Sequence, residues 1–150
     1  KYNLVDTDDM IVEQEGITIN EIFDKYGEEY FRKTECEVIK KAAEMKNVVI
    51  ATGGGVVLNE QNIENLRKTG VIFNLSPDFS VIQERLEEAR KTRPLLKQDS
   101  IENIKKRFDD RKPFYDNCDY KIKVIHGRTP RSYAMEILEI MESSQGAEKQ

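Results

Sequence analysis

Val48-Val49-Ile50-Ala51-Thr52-Gly53-Gly54-Gly55 is a short apolar run that ends in three successive glycines. An apolar run without polar alternation reads as a strand covered on both faces, the pattern of a parallel sheet between helices. Glycines directly after such a strand let the backbone approach a ligand closely, and their N–H groups can face an anion. The alternative is a flexible turn before a helix that starts near Glu60. Three glycines are more than a turn requires, so the stretch points to an α/β fold that binds ligands beyond the C-terminal ends of its strands.

Working outward, three further β-rich runs flank this one: Tyr2–Val5, Val71–Leu75 and Tyr120–Ile125. Helical patterns separate them, and strand–helix alternation at this spacing indicates α/β with a parallel sheet. Thr18-Ile19-Asn20-Glu21 reads as a capping box that opens a helix through Tyr26. Gly27 can end it, and Glu28 to Lys46 reads as a longer amphipathic helix with Phe31, Val38, Ile39 and Ala42 near one face. Ser76-Pro77 and Thr129-Pro130 each place a capping residue before a first-turn proline, predicting helices over roughly Asp78–Arg90 and Arg131–Glu142. Ser100 caps another that runs toward Phe114. Lys91–Asp99, basic and carrying Arg93-Pro94 between two helices, is a candidate lid. The small polar tail Ser143–Gln150 is expected to fray. With no repeat and no linker, the chain reads as a single domain over 1–150.

Composition narrows the function. The chain has 150 residues, 35% charged and 38% hydrophobic, which fits one soluble domain with a real core. The apolar runs are too short to span a membrane, and the start, Lys1-Tyr2-Asn3-Leu4-Val5-Asp6, has no signal-peptide core. It also lacks an initiator Met, so the true N-terminus is expected upstream. Cys36 and Cys118 are far apart and His126 is the only histidine, so no zinc-ligand spacing exists. Two isolated cysteines fit a reducing cytoplasm. The net charge of −4 argues against a nucleic-acid groove. Arg85, Arg90, Arg93, Arg107 and Arg111 nonetheless fall in one stretch, which suggests a small anionic ligand.

Four groups of residues carry candidate chemistry. Asp6-Thr7-Asp8-Asp9 follows a strand. If the strand continues, Asp6 and Asp8 point to one face, where one carboxylate suits hydrated Mg²⁺ and the other an attacking hydroxyl. The alternative is a polar loop with a helix N-cap at Asp8 or Asp9. Arg32, beside Phe31 and three residues before Glu35, offers a fork for a carboxylate, with Glu35 able to lock its rotamer. The alternative is a solvated ion pair. Arg93-Pro94-Leu95-Leu96 can carry an arginine onto a transferring phosphoryl group, or is an exposed connector. Arg111 is either a second carboxylate clamp or a helix C-terminal arginine facing the macrodipole.

In this order and spacing the elements resemble the shikimate kinase family, over nearly the whole chain. The carriers are Asp6–Asp8, the block Gly16–Phe23, the block Gly27–Glu35, Thr52–Gly55, Arg93–Leu96 and Arg111–Tyr115. The resemblance implies a P-loop kinase-like three-layer fold of helices about a parallel sheet, in strand order 2-3-1-4-5. It implies ATP-dependent phosphorylation of the 3-hydroxyl of shikimate, on the route to chorismate and the aromatic amino acids, with Mg²⁺. By the resemblance, Asp8 binds the shikimate hydroxyls and serves as base or orienting group, and Asp6 lies near the Mg²⁺ water shell. Arg32 and Arg111 clamp the shikimate carboxylate, Gly53, Gly54 and Gly55 line the site, and Phe23 and Phe31 wall it. Arg93 is the lid arginine on the phosphates, and Arg85 and Pro130 flank the adenine. A cytoplasmic monomer is the family expectation.

One departure stands out. No G-x-x-x-x-G-K-[ST] occurs in the sequence. The family's first strand, phosphate loop and first helix are therefore expected upstream, as roughly 30 residues of strand, loop and helix. A polypeptide that truly starts at Lys1 is expected not to fold stably, because the sheet's central strand would be absent. Two other readings remain: a non-catalytic domain of the same fold that binds a ligand or partner, and a related small-molecule kinase such as gluconate kinase. The retained Asp8, Arg93 and Arg111 disfavour the first, and the arginine clamp with the Gly27–Glu35 block disfavours the second.

Overall fold

The computed structural model describes residues 2–92 and 100–147. The chain forms two compact units, Lys1–Ile72 and Phe73–Gln150.

The first unit runs β1 (Asn3–Asp6), α1 (Thr7–Glu15), α2 (Ile19–Ala43), β2 (Val48–Ala51), a 3₁₀ turn (Val56–Leu58) and α3 (Glu60–Thr69). β1 and β2 pair in parallel, from Asn3 opposite Val48 to Asp6 opposite Ala51. The crossover between them is helical, as a parallel pair requires.

At the sequence level a helix here is only the alternative, capped at Asp8 or Asp9, and α1 revises the Asp6–Asp9 motif by starting earlier. Asp6 is its N-cap, accepting from the Asp8 N–H at 2.8 Å and the Asp9 N–H at 3.4 Å. Asp8 thus sits in a first helical turn, not one strand step from Asp6. Acidic residues are favoured there by the helix dipole. The helix stops at Gly16, whose φ of 69° is left-handed and whose N–H returns to the Val12 carbonyl at 2.9 Å. Its only buried side chains are Thr7 and Ile11, so it leaves no 3.6-residue stripe in the sequence.

Helix α2 begins as expected. Thr18 Oγ1 accepts from the Glu21 N–H at 3.3 Å while Glu21 Oε2 accepts from the Thr18 N–H at 2.9 Å, a complete capping box. Gly27, at φ 80° and ψ 175°, breaks the helical path, and helix resumes after it. Ile11, Ile22, Phe31 and Val38 form the core of the unit, with Met10, Ile17 and Ile19 packed against them.

The double coverage expected of β2 is not met among the described residues. Val49 is 54% exposed and its register partner Leu4 75%.

The second unit runs β3 (Phe73–Pro77), α4 (Phe79–Thr92), α5 (Ile101–Tyr115), β4 (Tyr120–Val124) and α6 (Pro130–Ala147). β3 and β4 are also parallel, from Phe73 opposite Tyr120 to Pro77 opposite Val124. β3 lies two residues later than the apolar run suggested, so Ser76-Pro77 ends a strand and does not open a helix. A proline at a strand terminus gives up no needed donor. The first turn of α4 hangs instead from the Asp78 carbonyl, which accepts from the Val81 N–H at 3.0 Å. Ser100 and Thr129 cap α5 and α6 as expected, with side-chain oxygens accepting from Asn103 N–H at 3.1 Å and Ser132 N–H at 3.3 Å. Val81, Ile122, Val124 and Tyr133 form this unit's core. α6 continues through Ala147, five residues into the segment expected to fray from 143.

Candidate active site

The C-terminal ends of β1 and β2 are register neighbours, Asp6 opposite Ala51. Each strand leads straight into one of the singled-out motifs, so parallel pairing sets Thr7-Asp8 beside Gly53-Gly54-Gly55. Their closeness shows in what a methyl group would meet. A Cβ on Gly53 would lie 3.3 Å from Asp8 Oδ1 and 3.7 Å from Glu35 Oε1. A Cβ on Gly55 would lie 2.2 Å from Arg32 Nη1, well inside contact distance. The glycines are therefore required less for their own flexibility than to leave room for Asp8 and the Arg32 guanidinium.

Helix α2 delivers the other two groups. Phe31, Thr34, Glu35, Val38 and Ile39 follow helical spacing and are all buried. Arg32 stands at the margin of that stripe. Its Nη1 donates to Glu35 Oε2 at 2.8 Å and its Nη2 to Glu28 Oε1 at 3.4 Å. The Glu35 side chain is only 3% exposed and that of Arg32 30%, so the guanidinium is anchored from below with one side open. It lies 5.3 Å from the Phe31 ring centroid, and Phe23 packs on Phe31 at 4.6 Å between centroids. Glu28, Arg32, Glu35, Gly55, Leu58, Asn59 and Glu60 line a cleft of about 440 Å³.

The charges are tuned by these surroundings. Burial pushes the Asp8 pKa above its ordinary 3.8, repulsion from Asp6 and Asp9 pushes the same way, and Arg32 opposes. Burial likewise raises Glu35, with Arg32 opposing and Asp8 adding a little. Burial acts most strongly against the Arg32 charge, but Glu35 and Glu28 together overcome it and hold the guanidinium protonated. The result is an oriented, partly exposed guanidinium and, across Gly53, a carboxylate more basic than usual. The first suits a carboxylate ligand and the second an attacking hydroxyl.

Asp6 spends Oδ1 on the helix cap. Among the described residues, no group of three or more His, Cys, Asp or Glu is placed to hold a metal by itself. A lone hard-oxygen carboxylate still suits Mg²⁺, which keeps most of its waters and binds largely through substrate phosphates.

The first unit thus gathers Asp8, Arg32, Gly53 and Gly55, with Gly54 between the two glycines and Phe31 and Phe23 behind. Glu35 enters as a full member, although the sequence suggested only a rotamer lock. A carboxylate inside the buried stripe of α2 was the available signal. Arg85, Arg111 and Pro130 belong to the second unit. Arg85 and Pro130 are exposed, on α4 and at the first residue of α6, and Arg111 is partly exposed on α5. Arg93 and most of the candidate lid lie outside the described residues. No described helix is long and apolar enough to cross a membrane.

The family model for shikimate kinase matches residues 1–142. A shikimate kinase from Caldanaerobacter subterraneus subsp. tengcongensis is 47% identical over 124 residues, covering 82% of this chain and 72% of that protein. The crystal structure of shikimate kinase from Aquifex aeolicus superposes with a TM-score of 0.79 at 33% identity, covering 96% of this chain and 82% of the other. A shikimate kinase from Acinetobacter baumannii in complex with shikimate gives 0.82 at 31% identity, covering 95% and 80%.

Proposed function

As the chain belongs to the shikimate kinase family, we propose that the cluster of Asp8, Arg32, Glu35, Gly53 and Gly55 is where it receives the acceptor substrate. Shikimate kinase activity, which uses ATP and serves aromatic amino acid biosynthesis, is the activity of this chain. The observation that carries the site assignment is the Arg32 guanidinium, seated on Gly55 and pinned by buried Glu35, with Asp8 across Gly53.

In this reading the shikimate carboxylate pairs with the exposed part of the Arg32 guanidinium, displacing exposed Glu28 from Nη2. Phe31 and Phe23 support the guanidinium from behind. Asp8 accepts a hydrogen bond from the 3-hydroxyl, orients its oxygen toward the γ-phosphorus and takes up the proton as the new O–P bond forms, while the bond from the γ-phosphorus to the β–γ bridging oxygen breaks and ADP leaves. The raised Asp8 pKa strengthens it for that task. Gly53, Gly54 and Gly55 line the acceptor with backbone alone. Positioning and charge neutralisation supply most of the catalysis in phosphoryl transfer. When bound, Mg²⁺ neutralises phosphate charge, and Asp6 is the residue that would hold it, through water. Arg111 serves as second carboxylate clamp, Arg93 as the arginine on the transferring phosphoryl group, and Arg85 with Pro130 as neighbours of the adenine. Their support is position within the family pattern.

The same reading makes the chain one domain and a cytoplasmic monomer, with β1 to β4 as strands 2, 3, 4 and 5 of a sheet in order 2-3-1-4-5. The two parallel pairs, β1 with β2 and β3 with β4, are neighbours that this order requires.

Asp8→Asn tests the assignment. In the complete protein kcat should fall by about 10² or more, the scale of a lost general base, while the KM for ATP stays unchanged. An unaltered kcat would remove Asp8 from the chemistry.

A further inference from the structure

The turn that seats Arg32 is held at its far end by a residue outside the acceptor cluster. Asn62 lies in the first turn of α3 and is 1% exposed. Its Nδ2 donates to the Val56 carbonyl at 3.1 Å in a buried setting. Its Oδ1 is buried and has no partner among the described residues. Turning the amide over would bring that oxygen against the Val56 carbonyl, so the bond fixes the side chain in one orientation.

From Val56 the restraint passes back through the glycines. The Val56 N–H donates to the Gly53 carbonyl at 3.3 Å, and the Leu58 N–H to the Gly55 carbonyl at 3.1 Å. The Asn59 N–H also reaches the Val56 carbonyl, at 3.4 Å. Val56 itself is buried, so this carbonyl has no ready exchange with solvent. β2 fixes the glycine segment at one end and Asn62 at the other. Between them lie Gly53, facing Asp8, and Gly55, facing the Arg32 guanidinium. There is little slack in this chain of contacts. Moving Gly55 toward Arg32 forces the guanidinium away, and moving it back opens the cleft beneath it.

We infer that Asn62 is a positioning residue for the shikimate site, acting through the Val56 carbonyl on the glycine turn that seats Arg32. This rests on the acceptor-site reading above. Its consequence is specific: Asn62 sets affinity for the acceptor and leaves ATP recognition and the chemical step alone.

The experiment is steady-state kinetics on Asn62→Asp and Asn62→Ala in the complete protein, with Thr69→Val and Arg32→Lys beside them. Asn62→Asp keeps the volume but replaces the amide donor with a carboxyl group, whose burial against the Val56 carbonyl is penalised. It should raise the KM for shikimate about tenfold, the scale of one lost buried hydrogen bond, with kcat and the KM for ATP within about twofold. Asn62→Ala, which removes the donor without adding a carboxyl group, should raise it less. A residue that only filled space would give the reverse order, with Ala the more damaging. Thr69→Val breaks a different bond in the same unit, from Thr69 Oγ1 to the Ala43 carbonyl at 2.5 Å, and should leave all three constants unchanged.

An unchanged KM for shikimate in Asn62→Asp, parallel rises in both KM values, a similar rise in Thr69→Val, or failure of both Asn62 variants to fold would each overturn the inference. Arg32→Lys separates it from its premise. If Arg32→Lys binds shikimate normally, the acceptor-site reading fails. If Arg32→Lys weakens binding and the Asn62 variants do not, only the role of Asn62 fails.

Discussion

A methyl group on Gly55 would stand 2.2 Å from Arg32 Nη1. Because the obstacle is the free end of a long side chain, the fold can absorb Gly55→Ala by swinging the guanidinium aside. The KM for shikimate should then rise by about tenfold or more while the unfolding midpoint moves little. Kinetics and a thermal melt on the same sample check both halves. Asp8 gives a second prediction at this scale. Folding raises its pKa above 3.8, so the folded state holds the proton more tightly than the unfolded state. This linkage favours folding below the ordinary carboxylate value and is lost as pH rises through the folded pKa. At neutral pH the ionised group therefore opposes folding. Asp8→Asn should melt a few degrees higher than wild type near pH 7, and the difference should shrink toward pH 4. A variant that melts lower at neutral pH would contradict the burial argument. By type alone Asp8 read equally as part of a capped polar loop and Arg32 as a solvated ion pair, and it was their order and spacing with the glycines, through the family resemblance, that singled them out. Glu35 was marked only as a rotamer lock, although its spacing from Phe31 and Val38 puts it in the buried stripe of α2, and Asn62 was not marked at all, because what makes it matter is burial and no apolar stripe of α3 points to it.

At the scale of elements, the signals that could be read were those written by single residues. Thr18, Ser100 and Thr129 cap helices as their types demand, and Gly27 breaks α2 where a glycine was the only cue. At φ 80° and ψ 175°, Gly27 occupies backbone space that side chains avoid. Gly27→Ala should destabilise the protein by about 1–3 kcal/mol in denaturant unfolding, although nothing lies within contact of the new methyl group. A loss below a few tenths of a kcal/mol would mean that the bend relaxes freely. Helix α1 was given only as an alternative, with its cap two or three residues late, because its apolar residues, Met10, Ile11 and Val12, are consecutive and its opening doubles as a carboxylate motif. β3 was displaced by two residues because Ser76-Pro77 fits a helix start as well as a strand end. Only the pairing of Pro77 with Val124 decides between them.

For the whole molecule, alternation of strands and helices was enough to predict parallel pairing, and both strand pairs are parallel. Coverage was not predictable from the same runs. Val49 read as a buried strand residue yet lies open among the described ones, because whether a face is covered depends on partners distant in sequence. The composition argument for a small anionic ligand rested on the arginines from Arg85 to Arg111, whereas the braced arginine of the first unit is Arg32, which lies outside that stretch. The central claim is that this braced arginine receives shikimate. Calorimetric titration of shikimate into the complete protein and into its Arg32→Lys variant tests it most directly. Lysine keeps a charge for Glu35 and so protects the fold, but it lacks the planar fork. Shikimate should bind wild type and lose about tenfold or more in affinity for the variant, the scale of a lost charge-assisted bond. Equal affinity for the two proteins would contradict the account.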